Sequence, residues 1–537
     1  MTSARSSRST GTNGPTGSAP KKAGIILATL ILGAIVANIN TSISNVALPS
    51  IGRALDATDT ELTAITDAYQ LGIAATVLYL GAVGDRYGRR RLLLLGSFLC
   101  VPFSLLSAWA QTPQILIVAQ ICVGIAGAML YPTTLSLITS LWSGSRLTAA
   151  IALWTGVGLG TSILGPIFGG WLLDRAWWGS VFLITVPFAI AVFILGIFVL
   201  PKAAGETAEK VDHGGGVLSV VMIGSFVMGI VLLPQGLRLS VWVMFAVALV
   251  SGAAFVVRER RASNPLFDLH AASIPTFWVA FVAGLIAFGA LVGAMFIGQQ
   301  FTQNVLGQEA FHAVLLTLGL AVGLMPASVV AGHMIEKLGT KPTFILGLLV
   351  VALGFVIMLV FWKPNASLVW VVLAYLFVGI GIGLASTSAS RSLSKSLPVS
   401  KAGMSSASAD LTKDLGGAVF QALLGTLLAI TYSSYFSAAF ANLPPDQAQA
   451  LGDRAAREIG SSYEGAQAVA ATLPSADAAE LMNAAARAFT EGKSAAILTA
   501  LASVLIGAAL VWWKYPRDDE ERALFAQIRQ QNTEVAS

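Results

Sequence analysis

The sequence predicts an all-α polytopic membrane protein with 14 transmembrane helices. Three observations predict it. Of 537 residues, 55% are hydrophobic and only 11% are charged, with a mean hydropathy of +0.77. Soluble domains carry about 25% charged residues. Apolar runs of about 20 residues recur from end to end, each long enough to cross the ~30 Å hydrocarbon layer. Finally, two stretches far apart look like copies. Gly84-Asp85-Arg86-Tyr87-Gly88-Arg89-Arg90-Arg91 ends one apolar run and starts the next. Ile335-Glu336-Lys337-Leu338-Gly339-Thr340-Lys341 does the same, with acid, base and glycine in matching order.

A second pair follows at nearly the same offset. Val123-Gly124-Ile125-Ala126-Gly127 precedes Leu135-Ser136-Leu137, and Val378-Gly379-Ile380-Gly381-Ile382-Gly383 precedes Ser390-Arg391-Ser392-Leu393. The spans are expected at 23–48, 62–83, 90–110, 113–140, 147–173, 177–200, 215–235, 239–258, 275–303, 311–335, 341–362, 367–389, 403–433 and 492–514. Residues 23–200 form one six-helix bundle and 275–514 the other. The two helices in 215–258 have no counterpart in the repeat and read as an insertion at its seam. Residues 434–491 form the one long outside loop, Ala-rich with apolar and charged residues at helical spacing, so a short helical hairpin fits, either a cap over the outer vestibule or a solvated connector without function. Residues 1–22, rich in Ser, Thr and Gly, read as a disordered tail, and 515–537 as a second tail. The first apolar run is too long for a cleavable signal peptide.

Charge sets the orientation. With the N-terminus inside, the inside segments hold 23 Lys and Arg and the outside segments eight. Lys and Arg are retained on the cytoplasmic side, so both termini are expected in the cytoplasm. The same bias explains the net charge of +5 without nucleic acid. Cys100 and Cys122 fall in separate apolar runs, without redox or metal spacing, and read as core residues. His213, His270, His312 and His333 are scattered near loops. Neither a catalytic constellation nor a phosphate-binding loop is present, so the sequence does not suggest an enzyme, a metal site or a cofactor.

Ionisable residues within membrane spans are costly and mark pathways. Asp67 lies in the second helix. Asp410, Lys413 and Asp414 lie in the thirteenth. Asp410 and Asp414 are four apart and share a face with Gly417 and Gln421. Lys413 is placed to neutralise Asp410, leaving Asp414 for work. A desolvated carboxyl exchanges protons or pairs with a cation; a helix-to-helix ion pair or hydrogen bond is the alternative. In the first copied turn, Gly81, Gly84 and Gly88 permit a tight turn and close approach. Asp85, Arg86, Arg89 and Arg90 suit a latch at the cytoplasmic surface; an orientation signal is the alternative. Gly158, Gly160, Gly165, Pro166, Gly169 and Gly170 crowd the fifth helix, where small residues allow close packing and proline bends the helix. Amides at Asn38, Asn40, Gln70, Gln120, Gln299 and Gln300 either line a polar cavity or hold helices together.

With these residues in view, the chain resembles the major facilitator superfamily over about residues 24–515. Gly84 to Arg90 is similar to that superfamily's loop between helices 2 and 3. Gly158-Leu159-Gly160 through Gly165-Pro166-Ile167-Phe168-Gly169-Gly170 is similar to its antiporter motif. Asn45-Val46-Ala47-Leu48-Pro49 and the helix number resemble the fourteen-spanner drug:proton antiporters. Thr66-Asp67-Ala68-Tyr69, Val123 to Ser136 and Asp414-Leu415-Gly416 are similar to quaternary-ammonium efflux pumps of the QacA type. The resemblance implies a major facilitator fold and a plasma-membrane monomer. It also implies export of lipophilic, often cationic compounds against inward proton flow, with Asp67 and Asp414 handling charge. Two positions depart from the pattern: Asn40 stands where the family has Asp, and Gln120 where it has Arg. Neither amide titrates, so a proton must be carried elsewhere. Their joint loss is coherent, since an Arg without its Asp would be a buried unpaired charge. A proton-independent facilitator or exporter of a lipid, peptide or secreted metabolite stays open, as does a sensor that binds without transport.

Overall fold

The computed structural model describes residues 22–142, 144–201, 211–233, 236, 238–262, 265–267, 269–396, 402–441 and 459–536. In the first half, α1 is Ala23–Leu55, α2 Asp59–Tyr87, α3 Arg89–Ala108, α4 Pro113–Leu141 and α5 Gly144–Leu173. A single turn, Ser180–Leu183, leads into α6, Thr185–Val199. The insertion is α7, His213–Val231, and α8, Leu239–Glu259. The second half holds α9, Pro275–Gln300, α10, Ala310–Leu338, α11, Thr340–Phe361, α12, Leu368–Lys395, α13, Ala402–Ala441, and α14, Ser475–Lys514. A charged tail helix, α15, Asp518–Ala536, follows. Among the described residues, twelve helices are long and apolar enough to cross a membrane. The helices α2 and α5, of 29 and 30 residues, are as long.

Local chemistry sets the boundaries. Thr58 and Glu61 close a capping box on α2: the Thr58 hydroxyl accepts from the Glu61 amide, and the Glu61 carboxylate accepts from the Thr58 amide. Thr112 caps α4, with Pro113 in its first turn. The sixth helix, expected unbroken over 177–200, is interrupted at Ile184. Pro187 is the reason: it has no amide to donate, and its ring crowds the carbonyl four residues earlier. The long connection expected over 434–491 is shorter in the structure. α13 runs on to Ala441, a short helix forms at Tyr463–Ala470, and α14 starts at Ser475. Pro474 occupies the N-cap of α14. The Ala-rich segment after it lacks a proline, so the helix runs into the final span.

The halves share their cores. One apolar cluster joins α9, α11, α12 and α14 to Leu48 and Ile51 of α1 and Leu62 of α2. The other joins the first half to the inserted α7 and to Leu411, Ala418 and Ala422 of α13. Phe198, Leu239, Leu249, Trp512 and Trp513 are at least 70% exposed, as suits a surface facing lipid. The insertion packs α7 on α8 and lays α7 along α2 and α13. Gly216 sits against the Tyr79 ring, and Thr426 of α13 donates to the Ile230 carbonyl.

Candidate functional site

The contact between α2 and α13 is built from small and amide residues. Gln70 donates to the Gln421 side chain across the two halves at 3.2 Å, with both residues buried. Gly417 lies beside the Gln70 carbonyl oxygen and Gly425 beside Thr63, each with no room for a methyl. Asp414, half-buried, is on the α13 face that carries Gly417 and Gln421. Lys413 lies 5.1 Å from the centre of the Tyr131 ring of α4. Tyr131 packs on Trp154 of α5, whose indole donates to Thr134. Asp410 lies on α13, but its side chain is outside the described residues.

Asp67 occupies a different wall. It is 1% exposed, and neither carboxylate oxygen has a hydrogen-bond partner among the described residues. A small pocket around it is lined by Ala64, Ala68 and Leu71 of α2, Ile117 and Ile121 of α4, and Val227, Met228 and Val231 of α7. Its carboxyl is thus covered by the insertion. A bare charge in such a lining carries a desolvation cost of several kcal/mol, so the site favours a proton or a cation as partner.

The remaining amides bond partly within their own helices and partly between helices. Asn38 and Asn40 donate to Ala34 and Val36 of their own helix. Gln120 donates to Ser107 of α3 at 3.0 Å, and its own carbonyl oxygen has no partner among the described residues. Gln299 donates to Ala313 of α10 and accepts from Gln303. Gln303 also reaches the Val46 carbonyl of α1. Gln300 is buried beside this group.

Two motifs act through backbone proximity. In α5, Gly165 faces Ile39 and Gly169 faces Ile43 of α1. Gly170 meets the backbone of Ala310 and Phe311 of α10, so the stripe joins first half to second. Pro166 is buried between them. Gly158 and Gly160 lie on the same helix. In the copied turn, Gly81 stands in open space, Gly84 lies against Leu92, and Gly88 has φ 109°. Arg89 donates to the Ser136 carbonyl of α4, and Arg90 to the Gly196 and Ile197 carbonyls that end α6. These bonds stay within the first half. Arg86 is exposed, and the Asp85 side chain lies outside the described residues.

Sequence reasoning missed the groups whose partners are remote in the chain. The pocket residues from α7 gave no signal, being ordinary apolar positions. Lys493 is fully buried on the Phe301 ring and bonded to the Trp362 carbonyl. Asp59 and Glu464 are likewise buried. Asn304, buried beside them, was legible as a polar residue in an apolar run, with Gln299, Gln300 and Gln303.

A duplicated helical bundle whose halves meet around a few buried polar residues is the architecture of a secondary transporter. A sequence model described as the Major Facilitator Superfamily matches residues 30–421. The chain is 34% identical over 494 residues to the multidrug efflux pump LfrA of Mycolicibacterium smegmatis, covering 92% of this chain and 96% of that one. It is 29% identical over 496 residues to the methyl viologen resistance protein SmvA of Salmonella typhimurium, covering 91% and 97%. In fold it is similar to an inward-facing bacterial homologue of the human lysosomal transporter Spinster, with a TM-score of 0.61 at 14% identity over 94% and 98% of the two chains. The chain therefore belongs to the major facilitator superfamily. It is a multi-pass membrane transporter and not an enzyme.

Proposed function

We propose that the protein exports lipophilic, cationic drugs or toxic compounds from the cell by proton antiport, through alternating access of its two halves. The observation that carries this reading is Asp67, a buried carboxyl with no hydrogen-bond partner among the described residues, in an apolar pocket. A proton or a cation neutralises such a group, and competition between the two for one carboxyl, joined to alternating access, gives antiport. Asp414 is the second charge-handling group, on the face of α13 that meets Gln70. The names of the relatives support drug export, in one case a multidrug efflux pump, and a cationic substrate, in the other a methyl viologen resistance protein. In the proposed arrangement all fourteen long helices cross the plasma membrane of a monomer, with both termini and the Gly88 and Gly339 turns in the cytoplasm. Asn40 and Gln120 take the places of a titratable pair without carrying protons. The Arg89 and Arg90 turn steadies the cytoplasmic gate.

Exchange of one proton for one monovalent cation moves no net charge, so each pH unit supports about a tenfold substrate gradient. A second proton would add about 2.3 kcal/mol per 100 mV of membrane potential. The test is efflux of a fluorescent lipophilic cation from vesicles under an imposed pH gradient. Collapse of the gradient should abolish concentrative efflux; efflux indifferent to it contradicts antiport. A second reading, a proton-independent facilitator or exporter of a lipid, peptide or secreted metabolite, is favoured by the amides at Asn40 and Gln120, each bonded within its own bundle. Substrate exchange that ignores pH would select it.

A further inference from the structure

The end of the molecule opposite the Gly88 and Gly339 turns holds a group of buried acids remote from Asp67 and Asp414. Asp59 begins α2 and is 4% exposed, and Glu464 of the short helix Tyr463–Ala470 is 2% exposed. These two carboxyls come from different halves. Glu464 lies against Gly52 of α1, where a methyl group would overlap its side chain. Tyr432 of α13 donates to the Ser462 carbonyl and holds the short helix in place. Asn304, in the π-helical turn that ends α9, donates to one Glu464 oxygen at 2.8 Å. The second oxygen of Glu464, one oxygen of Asp59 and the Asn304 carbonyl oxygen have no partner among the described residues. Asp59 and Glu464 are close enough to repel one another, and among the described residues no donor serves these three acceptors.

We propose that Asp59 and Glu464 form a proton-binding site that clasps the connection between α13 and α14 to α1 and α2, closing this end of the transporter when the site is occupied. A proton supplies the donor that the cluster lacks, converting two mutually repelling carboxylates into a hydrogen-bonded acid pair. When the halves part at this end, Glu464 leaves Gly52 and both carboxyls meet water. The proton then returns to the side from which it came. The site is a gate lock and carries no proton across the membrane. It does not depend on which residue couples transport, nor on what is transported.

The facing groups agree in sign. Among the described residues, Arg53 of α1 is the cation acting on Glu464. It is exposed and donates to Ser50, so it is no buried counter-ion. Tyr432 and Tyr463 add hydroxyls and no positive charge. Burial, opposed by its own backbone, Asn304 and Arg53, raises the Glu464 carboxyl above the ordinary range, and burial with the Glu464 charge nearby raises Asp59 as well. A carboxyl raised in the closed state binds protons better closed than open. Closure is therefore complete below the ordinary Glu value of about 4.3 and weakens as pH rises through the closed-state value. In the proposed orientation this end faces the medium, so external acid shuts the outer gate.

The test uses full-length protein in liposomes, with Cys100 and Cys122 replaced by serine and spin labels at Ala54→Cys and Ala471→Cys, both exposed positions on opposite sides of the clasp. Between pH 5 and pH 8 the short-distance population should fall at least threefold. Glu464→Gln, which keeps shape and supplies a permanent donor, should hold the short distance at every pH. Glu464→Ala should lose it at every pH. A wild-type distance distribution that ignores pH overturns the proposal, as does an unchanged pH profile in Asp59→Asn/Glu464→Gln. A population set by sodium or calcium at fixed pH would replace the proton with a metal cation and overturn it too. Size-exclusion elution and thermal unfolding of each variant identify a misfolded sample before its distances are read.

Discussion

The two copied turns are folded alike and fastened differently. Both pivot on a glycine with positive φ, 109° at Gly88 and 92° at Gly339, and both place a base two residues later. Arg90 reaches the carbonyls that end α6, the sixth helix of its half. Lys341 reaches the Tyr515 carbonyl that ends α14, the sixth helix of the other half. Unsatisfied carbonyls at a helix C-terminus attract cations, so the duplication has kept one interaction with two different bases. The neighbouring position has diverged. Arg89 bonds to α4, whereas Thr340 donates to Glu521 of the tail helix α15. Tyr515 donates to the same Glu521 and bonds to Ser392 of α12. The first turn is held by its own bundle; the second has borrowed the tail. What the second copy lost in arginine it has recovered in buried hydroxyl–carboxylate bonds.

This contrast can be broken at graded points. The largest effect is expected for Gly339→Val. Its conformation is one that side chains avoid, at a cost of about 1–3 kcal/mol, and its new side chain would strike the Asp518 carboxylate. A thermal melt of purified protein should fall by several degrees; an unchanged melt would show that the second turn tolerates other geometry. Deletion of residues 518–537 comes next. It strips Thr340 and Tyr515 of their shared acceptor, but water replaces the departed tail, so the net loss is about 1 kcal/mol. Hydrogen exchange should rise at the start of α11 and the end of α14 and stay constant in α3 and α6. Arg90→Ala should do the reverse, loosening the α3–α6 contact by about 1–2 kcal/mol and leaving α11 untouched. Spread of either effect into the other half would dissolve the distinction between the two fastenings. The smallest effect concerns the insertion, where Asp212 pairs with Arg258 at 2.6 Å. The Arg258 guanidinium holds the Asp212 carboxyl below its ordinary value. Its contribution is therefore full above about pH 4 and fades only as pH falls further. With half of Arg258 exposed, Asp212→Asn should cost under about 1 kcal/mol near neutrality.

Much of the fold was legible because membrane spans are written in local composition. The helices α1 to α5 and α7 to α13 stand where apolar runs and glycine turns put them. Boundaries slipped where tertiary or backbone effects compete with hydropathy: at Pro187, which breaks the sixth helix, and at Ser475, where an amphipathic segment extends the last one. The candidate site was legible in residue type and not in neighbourhood. Asp67 stands out as an acid in an apolar run, but its cover by Val227, Met228 and Val231 follows from where the insertion docks, and no local pattern encodes that. Gln70 and Gln421 read as separate amides because their bond joins residues 351 positions apart. Glu464 was hidden more completely, in an Ala-rich segment whose helical spacing does not tell what it packs against.

The central claim is that charge handling rests on Asp67 and Asp414 in place of a pair at Asn40 and Gln120. Proton release on substrate binding tests it most directly. Purified protein in weakly buffered detergent solution, given a lipophilic quaternary ammonium compound, should release about one proton per cation bound near neutral pH. Asp67→Asn should reduce that release at least tenfold, and Asp67→Asn/Asp414→Asn should abolish it, with both variants still eluting as the wild type does. Cation binding without proton release in the wild type, or full release in the double variant, would contradict the account.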